Sequence, residues 1–279
     1  MAKDKTKDIR DLLRAELLDG RFRMVDIDPD STPGVKKPKQ ARKEMEEAHG
    51  RLFGLQERLF AENKRSVLVV LQAMDTGGKD GAITHVIGDL NPQGVHITSF
   101  KQPTPEERRH GFLWRIRRSL PEAGVVGIFN RSHYEDVLIA RVHGLADPKV
   151  IERRYQQINE FEKEVVKSGT TIIKFCLHIS YDEQRLRLLD RLHDPNKHWK
   201  FHESDVDERR YWDDYMSAYG IAITKCSTKW APWYVIPAND KDYRNFAVAK
   251  IIRETLGDMD PQYPQPKLNI PRLLKRLKD

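Results

Sequence analysis

Five short apolar runs punctuate a polar chain, and stretches of helical periodicity fall between them. Val67–Leu71, Val95–Phe100, Val125–Phe129, Thr170–Leu177 and Trp233–Ile236 are rich in β-branched and aromatic residues and have strand length. Apolar residues at three-to-four spacing predict helices over residues 41–63 (Leu52, Leu55, Leu59, Phe60) and 106–119 (Phe112, Leu113, Ile116). Further helices are expected over residues 82–90, 148–167, 205–223 and 243–256. Ser180 and Glu183 form a capping box that opens another, running through Arg191. Strands alternating with helices predict an α/β fold, a parallel sheet covered on both faces. Ligands in such folds bind at the carboxyl ends of the strands. The polar clusters Asp75–Gly81, Lys101–Thr104, Asn130–Asp136 and His178–Ser180 all follow strands.

The flanks lack this alternation. Residues 1–40 mix charge with the turn-rich Asp28–Gly34 and the basic Lys36–Lys39, and read as an arm with a short helix and a linker outside the core. Residues 258–279 carry several prolines and read as a surface tail, leaving 41–257 as the main domain. A basic, aromatic insert, His193–His202, interrupts the pattern late in that domain.

Composition narrows the class. With 279 residues and a mean hydropathy of −0.68, the chain can bury a large core and has a densely charged surface. Lys and Arg number 49 against 42 Asp and Glu, and the resulting +7 favours a polyanionic partner without saying which. Cys176 and Cys226 are too few for a disulfide framework or a zinc site, and Cys176 reads as core. The charged start has no signal-peptide pattern and no apolar run could span a bilayer, so a cytoplasmic protein with no membrane partner is expected.

The chemistry concentrates after the first strand. Met74-Asp75-Thr76-Gly77-Gly78-Lys79-Asp80-Gly81 lies between an apolar strand and a helix, as a phosphate-binding P-loop does. The backbone of Thr76, Gly77, Gly78, Asp80 and Gly81 is the candidate cradle, and Lys79 the cation that neutralises phosphate. Ala73 stands where a first glycine is expected, and Asp80 where a hydroxyl metal ligand is usual. Asp75 would repel a bare phosphate, but it fits if Mg²⁺ lies between carboxylate and phosphate. Its alternative role is an Asx turn or a helix N-terminal charge.

Asn130 follows the third strand, where a metal-holding aspartate is common, and Arg131 can fork onto phosphate oxygens. His133 and Tyr134 read as packing at least as well as chemistry. Arg185, Arg187, Arg191, Lys197, His198 and Lys200 form a basic set around Trp199 and Phe201. This set is either a solvated face or a mobile lid, about residues 185–210, closing over phosphates. No stacked-aromatic RNA motif is present, and the tryptophans read as packing, so no nucleic-acid partner is expected.

Asp75–Gly81, Phe129-Asn130-Arg131-Ser132-His133-Tyr134-Glu135-Asp136 and Asp194-Pro195-Asn196-Lys197-His198-Trp199-Lys200-Phe201 together resemble the polyphosphate kinase 2 family. Asn91–Val95, Phe112–Arg115, Trp230–Tyr234 and Asp242–Asn245 add to the likeness, which covers roughly Ala41–Leu256. The Asn-Arg-Ser-His-Tyr-Glu form is similar to the branch acting on nucleoside mono- and diphosphates. The resemblance implies a three-layer α/β/α P-loop kinase fold, thymidylate-kinase-like, with a helical lid. It also implies transfer from inorganic polyphosphate to AMP and then ADP, with Mg²⁺ or Mn²⁺, by a homo-oligomer (dimer or tetramer).

By position, the resemblance gives Asp75, Lys79 and Arg131 catalytic roles and puts Asp75 and Asn130 at the metal. Arg191, Lys197 and Lys200 would face phosphate, Glu135 and Asp136 would lie near the acceptor nucleotide or its metal, and Lys101 would hold the acceptor nucleotide's phosphate. Two other readings stand beside it: an ATP-dependent nucleoside monophosphate kinase and a non-catalytic polyanion-binding protein. The missing Gly-x4-Gly-Lys-Ser/Thr pattern speaks against the first. The carboxylate of Asp75, which a pure anion binder would not need, speaks against the second.

Overall fold

The computed structural model describes residues 8–35, 38–88 and 90–278. The charged start, Met1–Lys7, and the Lys36–Lys37 pair of the expected linker lie outside them. In chain order the elements are α1 (Ile9–Leu13), α2 (Pro38–Glu62), β1 (Ser66–Ala73), α3 (Lys79–Ala82), β2 (Val95–Ser99), α4 (Trp114–Arg118), β3 (Val126–Asn130) and α5 (Ile139–Val142). They continue with α6 (Pro148–Lys167), β4 (Thr170–His178), α7 (Tyr181–His193), α8 (Ser204–Asp207), α9 (Trp212–Cys226), β5 (Trp233–Pro237), α10 (Lys241–Met259) and α11 (Ile270–Arg276).

The five strands form one all-parallel sheet in the order β2-β3-β1-β4-β5. The two-residue period of β1 divides its side chains between two cores. Val67, Val69 and Leu71 join Val126, Ile128, Ile173, Phe175 and residues of α2 and α10. Leu68 and Val70 join Phe129, Ile172, Cys176 and residues of α6 and α9. Both faces are therefore covered over β1, β3, β4 and β5, which explains why those strands read as nearly unbroken apolar runs, while the edge strand β2 is largely exposed. Both cysteines are buried, and burial pushes each thiol up to about 12.

Several expectations change. Part of the expected arm belongs to the core: Ile9, Leu13, Phe22, Met24 and Val35 are buried. Beyond α1, the Ala15 N–H donates to the Trp233 carbonyl (2.9 Å), and Arg14 bridges Tyr234 antiparallel, covering the free edge of β5.

The helix expected over 106–119 is a 3-10 turn (Glu107–Arg109) followed by α4, with Gly111 between them. The one expected over 205–223 splits into α8, a 3-10 turn and α9. The helix after the loop begins earlier than expected, at Lys79, and widens into a π turn, Ile83–Ile87. The tail ends in the short helix α11. Among the described residues no helix is long and apolar enough to cross a membrane.

His178, grouped by sequence with the ligand-end clusters, is buried, and burial pulls its imidazole down to about 4. Ser180 beside it caps α7, its hydroxyl accepting from the Glu183 N–H at 3.1 Å. A histidine kept neutral in the fold binds fewer protons than in the unfolded chain between the two pKa values. Its contribution to stability is therefore flat above about pH 6.5, declines as pH falls toward 4, and amounts to about 3 kcal/mol. Urea unfolding across this range should show the slope in wild type and a flatter one in His178→Leu.

Candidate active site

The site lies at the carboxyl ends of the central strands β1 and β3. Leaving β1, the chain turns sharply: the Gly77 N–H donates to the Met74 carbonyl at 2.9 Å, and Thr76 takes φ +62°. A Cβ on Gly77 would lie 2.5 Å from that of Ala73, so no side chain fits there. Gly78 has φ +101° and caps α3. A Cβ there would collide with Arg244 Nη1 of α10 at 2.0 Å. Arg244 is buried against the loop and braced by Asn245, which accepts from its Nε and Nη2 at 3.1 and 2.8 Å. Burial and the charge of Arg187 pull its pKa down to about 10.

The candidate side chains cross-link the two loops. Lys79 folds back to donate to the Ala73 carbonyl at 2.9 Å. Burial lowers its pKa, with Arg131 adding to the effect and Asp75, Glu135 and Asp80 opposing it. Arg131, in a left-handed conformation (φ +62°), continues the sheet by donating its N–H to the Leu71 carbonyl at 3.1 Å. Its Nη2 reaches Asp75 Oδ1 at 3.1 Å. Burial disfavours its charge, but Glu135 and Asp75 outweigh this and hold the pKa above the ordinary value. The Asn130 amide donates to Asp80 Oδ1 at 2.8 Å, and Gln72 Nε2 donates to Glu135 Oε1 at 2.8 Å. Asp75, Lys79, Asp80, Asn130, Arg131 and Glu135 thus share one end of the sheet.

The other candidates lie around this group. Asp136 is half-buried, 3.6 Å from Arg154 of α6, and burial raises its carboxyl despite that partner. Lys101 is exposed, and its carbonyl accepts from Arg115 Nη1 at 2.8 Å. In the segment expected to form a lid, Lys197 meets Asp194 at 2.9 Å, while Lys200 lies 4.8 Å from the Trp199 ring centre. That ring is 75% exposed, against the packing role expected of the tryptophans. Arg191 holds the Lys200 carbonyl at 3.1 Å and lies 3.5 Å from Asp205. Arg187, grouped by sequence with the lid cations, instead donates to main-chain carbonyls of the phosphate loop and of the turn after β5.

Beneath the β3 loop is a buried cluster that the sequence reading missed. Lys174 of β4 donates to Glu162 of α6 (2.6 Å), the Tyr134 hydroxyl (2.8 Å) and the Cys226 carbonyl (2.8 Å). His133 and the Tyr134 hydroxyl also reach Glu162, at 3.3 and 2.9 Å. Burial would raise the Glu162 carboxyl, but Lys174 and His133 outweigh it and hold the pKa low. The packing role left open for His133 and Tyr134 is therefore what the structure shows, with polar anchoring added. A sequence signal existed: a lysine inside an apolar strand, and a glutamate in line with Ile158, Phe161 and Val165 on the buried face of α6.

The donor set suits a hard cation. Asp75, Asp80, Asn130 and Glu135 offer only oxygens, and Arg131 engages only one oxygen of Asp75. Among the described residues there is no cluster of three or more metal-ligating His, Cys, Asp or Glu side chains. Mg²⁺ is commonly held by one or two carboxylates, with water and substrate phosphates completing the shell.

Comparison with known proteins places this geometry. The family model for polyphosphate kinase 2 matches residues 35–264. The chain is 51% identical over 250 residues to the AMP/ADP-polyphosphate phosphotransferase of Meiothermus ruber, covering 89% of this chain and 94% of that protein. It is 44% identical to the ADP-polyphosphate phosphotransferase of Rhodopseudomonas palustris, over 77% and 78% of the two chains. The crystal structure of polyphosphate kinase 2 from Arthrobacter aurescens superposes with a TM-score of 0.94 at 45% identity, covering 100% of this chain and 99% of that one. The match takes in both loops of the site and the lid, and the chain belongs to the polyphosphate kinase 2 family.

Proposed function

We propose that this protein transfers a phosphoryl group from inorganic polyphosphate to AMP and ADP, forming ADP and ATP. The observation that carries the reading is the grouping of Lys79 and Arg131 with Asp75, Asn130 and Glu135 at the ends of β1 and β3. Cations and oxygen donors alternate there, as in-line transfer between two polyanions requires. The names of the relatives from Meiothermus ruber and Rhodopseudomonas palustris supply the donor and the acceptors.

Lys79 and the backbone of Thr76–Gly81 hold the transferred phosphoryl group, and Arg131 bridges its oxygens. Arg191, Lys197 and Lys200 engage the polyphosphate chain from the lid. Glu135, Asp136 and Lys101 face the acceptor nucleotide. Asp75 and Asn130 hold Mg²⁺ or Mn²⁺, which when bound neutralises charge on the phosphates. Transfer of this kind depends on positioning and charge neutralisation more than on covalent chemistry, which fits a site without an activated nucleophile. A homo-oligomer in the cytoplasm completes the reading.

The test is an incubation with AMP, Mg²⁺ and polyphosphate in the absence of ATP. ADP should appear first and ATP after it. AMP phosphorylation with ATP alone would favour a nucleoside monophosphate kinase. Inactivity with either donor would favour a polyanion-binding protein.

A further inference from the structure

The phosphate loop is held in a conformation that its own sequence disfavours. Thr76 is β-branched yet has φ +62°, a region such residues enter only under constraint. Its hydroxyl is buried with no hydrogen-bond partner among the described residues. Inside the loop, the Gly77 N–H bond to Met74 closes the turn. Arg131, Asn130 and Arg244 brace the loop through side chains, and a further restraint, on the main-chain carbonyls of Asp75 and Thr76, comes from α7. Gln184 Nε2 donates to the Asp75 carbonyl at 3.2 Å, and Arg187 Nη1 donates to the Thr76 carbonyl at 3.0 Å.

Both side chains are buried and anchored elsewhere. Arg187 Nε donates to Glu183 at 2.7 Å, and its Nη2 to the Ala238 and Asn239 carbonyls at 2.6 and 3.0 Å. A planar guanidinium fixed in those directions cannot follow a relaxing Thr76 carbonyl. Gln184 Oε1 accepts from Arg209 Nη1 at 3.0 Å. Because a trans peptide points its N–H opposite to its C=O, holding the Asp75 carbonyl on the α7 side turns the Thr76 N–H away from that helix. Gln184, Arg187 and Arg191 are three and four residues apart, so one face of α7 carries both these restraints and a lid arginine.

The geometry points to Gln184 and Arg187 as positioning residues that keep the phosphate loop in its strained, anion-receiving conformation, so that the seating of α7 sets the readiness of the loop for transfer. This rests on the polyphosphate-dependent reading of the site. Neither residue touches the reacting atoms; both act through the main chain of Asp75 and Thr76. A purely structural role, in which Arg187 only ties α7 to the turn after β5, makes a different prediction.

The test is a double-mutant cycle in the full chain. Glycine adopts φ +62° without strain, so a Thr76→Gly background needs the clasp less. Gln184→Met should lower kcat about tenfold and Arg187→Met about a hundredfold, with little change in the KM for AMP. In the Thr76→Gly background each loss should shrink to about threefold or less. Equal fold-losses in both backgrounds, or losses confined to KM, would overturn the proposal.

If Arg187→Met fails to fold, Gln184→Met decides alone, because it leaves the Arg187 bonds in place. Hydrogen exchange across residues 74–81 needs no substrate and should be about tenfold faster in Gln184→Met. Unchanged exchange would sink the clasp even if polyphosphate were not the donor. A wild-type chain inactive with polyphosphate would sink the functional reading and leave the clasp to the exchange result.

Discussion

Lys79→Ala should cut turnover about a hundredfold to a thousandfold with little change in melting temperature. Among the described residues the ammonium donates only to the Ala73 carbonyl, so the fold loses one hydrogen bond to a half-buried group. Catalysis loses more. In the proposed reading Lys79 is the cation on the phosphate loop itself, and removing one preorganised electrostatic group of this kind costs about 3–4 kcal/mol of transition-state stabilisation. Lys79→Arg should rescue little, because a planar fork cannot take the place of a compact ammonium inside a tight loop.

Asp75→Asn should be comparably slow, and its loss has two sources. It weakens the Arg131 contact at 3.1 Å and removes the charge proposed to hold Mg²⁺. Raising Mg²⁺ separates them, since only the metal deficit responds to concentration. Full activity in Asp75→Asn would remove the metal assignment.

The second large effect is on stability. Glu162→Gln leaves Lys174, which is fully buried, without its carboxylate at 2.6 Å. Breaking a buried pair by removing one partner costs about 3–5 kcal/mol, most of it the stranded charge. The double change Glu162→Leu with Lys174→Met should recover much of the loss, because no charge is then stranded. Thermal unfolding of the single and double variants checks this directly. Glu162 also gives an acid-linked signature: its folded pKa is lowered, so its contribution is present above the unfolded carboxylate value and is lost as pH falls through the folded one. Activity should fall along with stability in Glu162→Gln, because Tyr134 and His133 tie the Asn130–Arg131 loop to this cluster.

Much of this architecture can be read from residue order. The apolar runs at Val67, Val125, Thr170 and Trp233 mark strands because a sheet covered on both faces leaves little alternation to obscure them, and the largely exposed edge strand at Val95 is marked by its β-branched residues. The loop after β1 is legible because its chemistry is contiguous, from Asp75 to Gly81. What escaped notice is non-local. Ile9 and Leu13 look like part of a polar arm until the free edge of β5 gives them something to cover. Arg187 looks like a lid cation because helical spacing cannot say which face meets main-chain carbonyls. Arg244 is visible only as one residue of a short motif, since its role depends on glycines far from it in sequence. Glycine at residue 111 broke an expected helix that apolar spacing alone had joined.

The most direct test of the central claim follows the phosphorus. With ³²P-labelled polyphosphate, unlabelled AMP and Mg²⁺, the wild-type chain should place label in ADP and then in ATP, while Lys79→Ala should leave nearly all of it in the polymer. Nucleotide products that form without label, or label transfer that survives Lys79→Ala undiminished, would contradict the account.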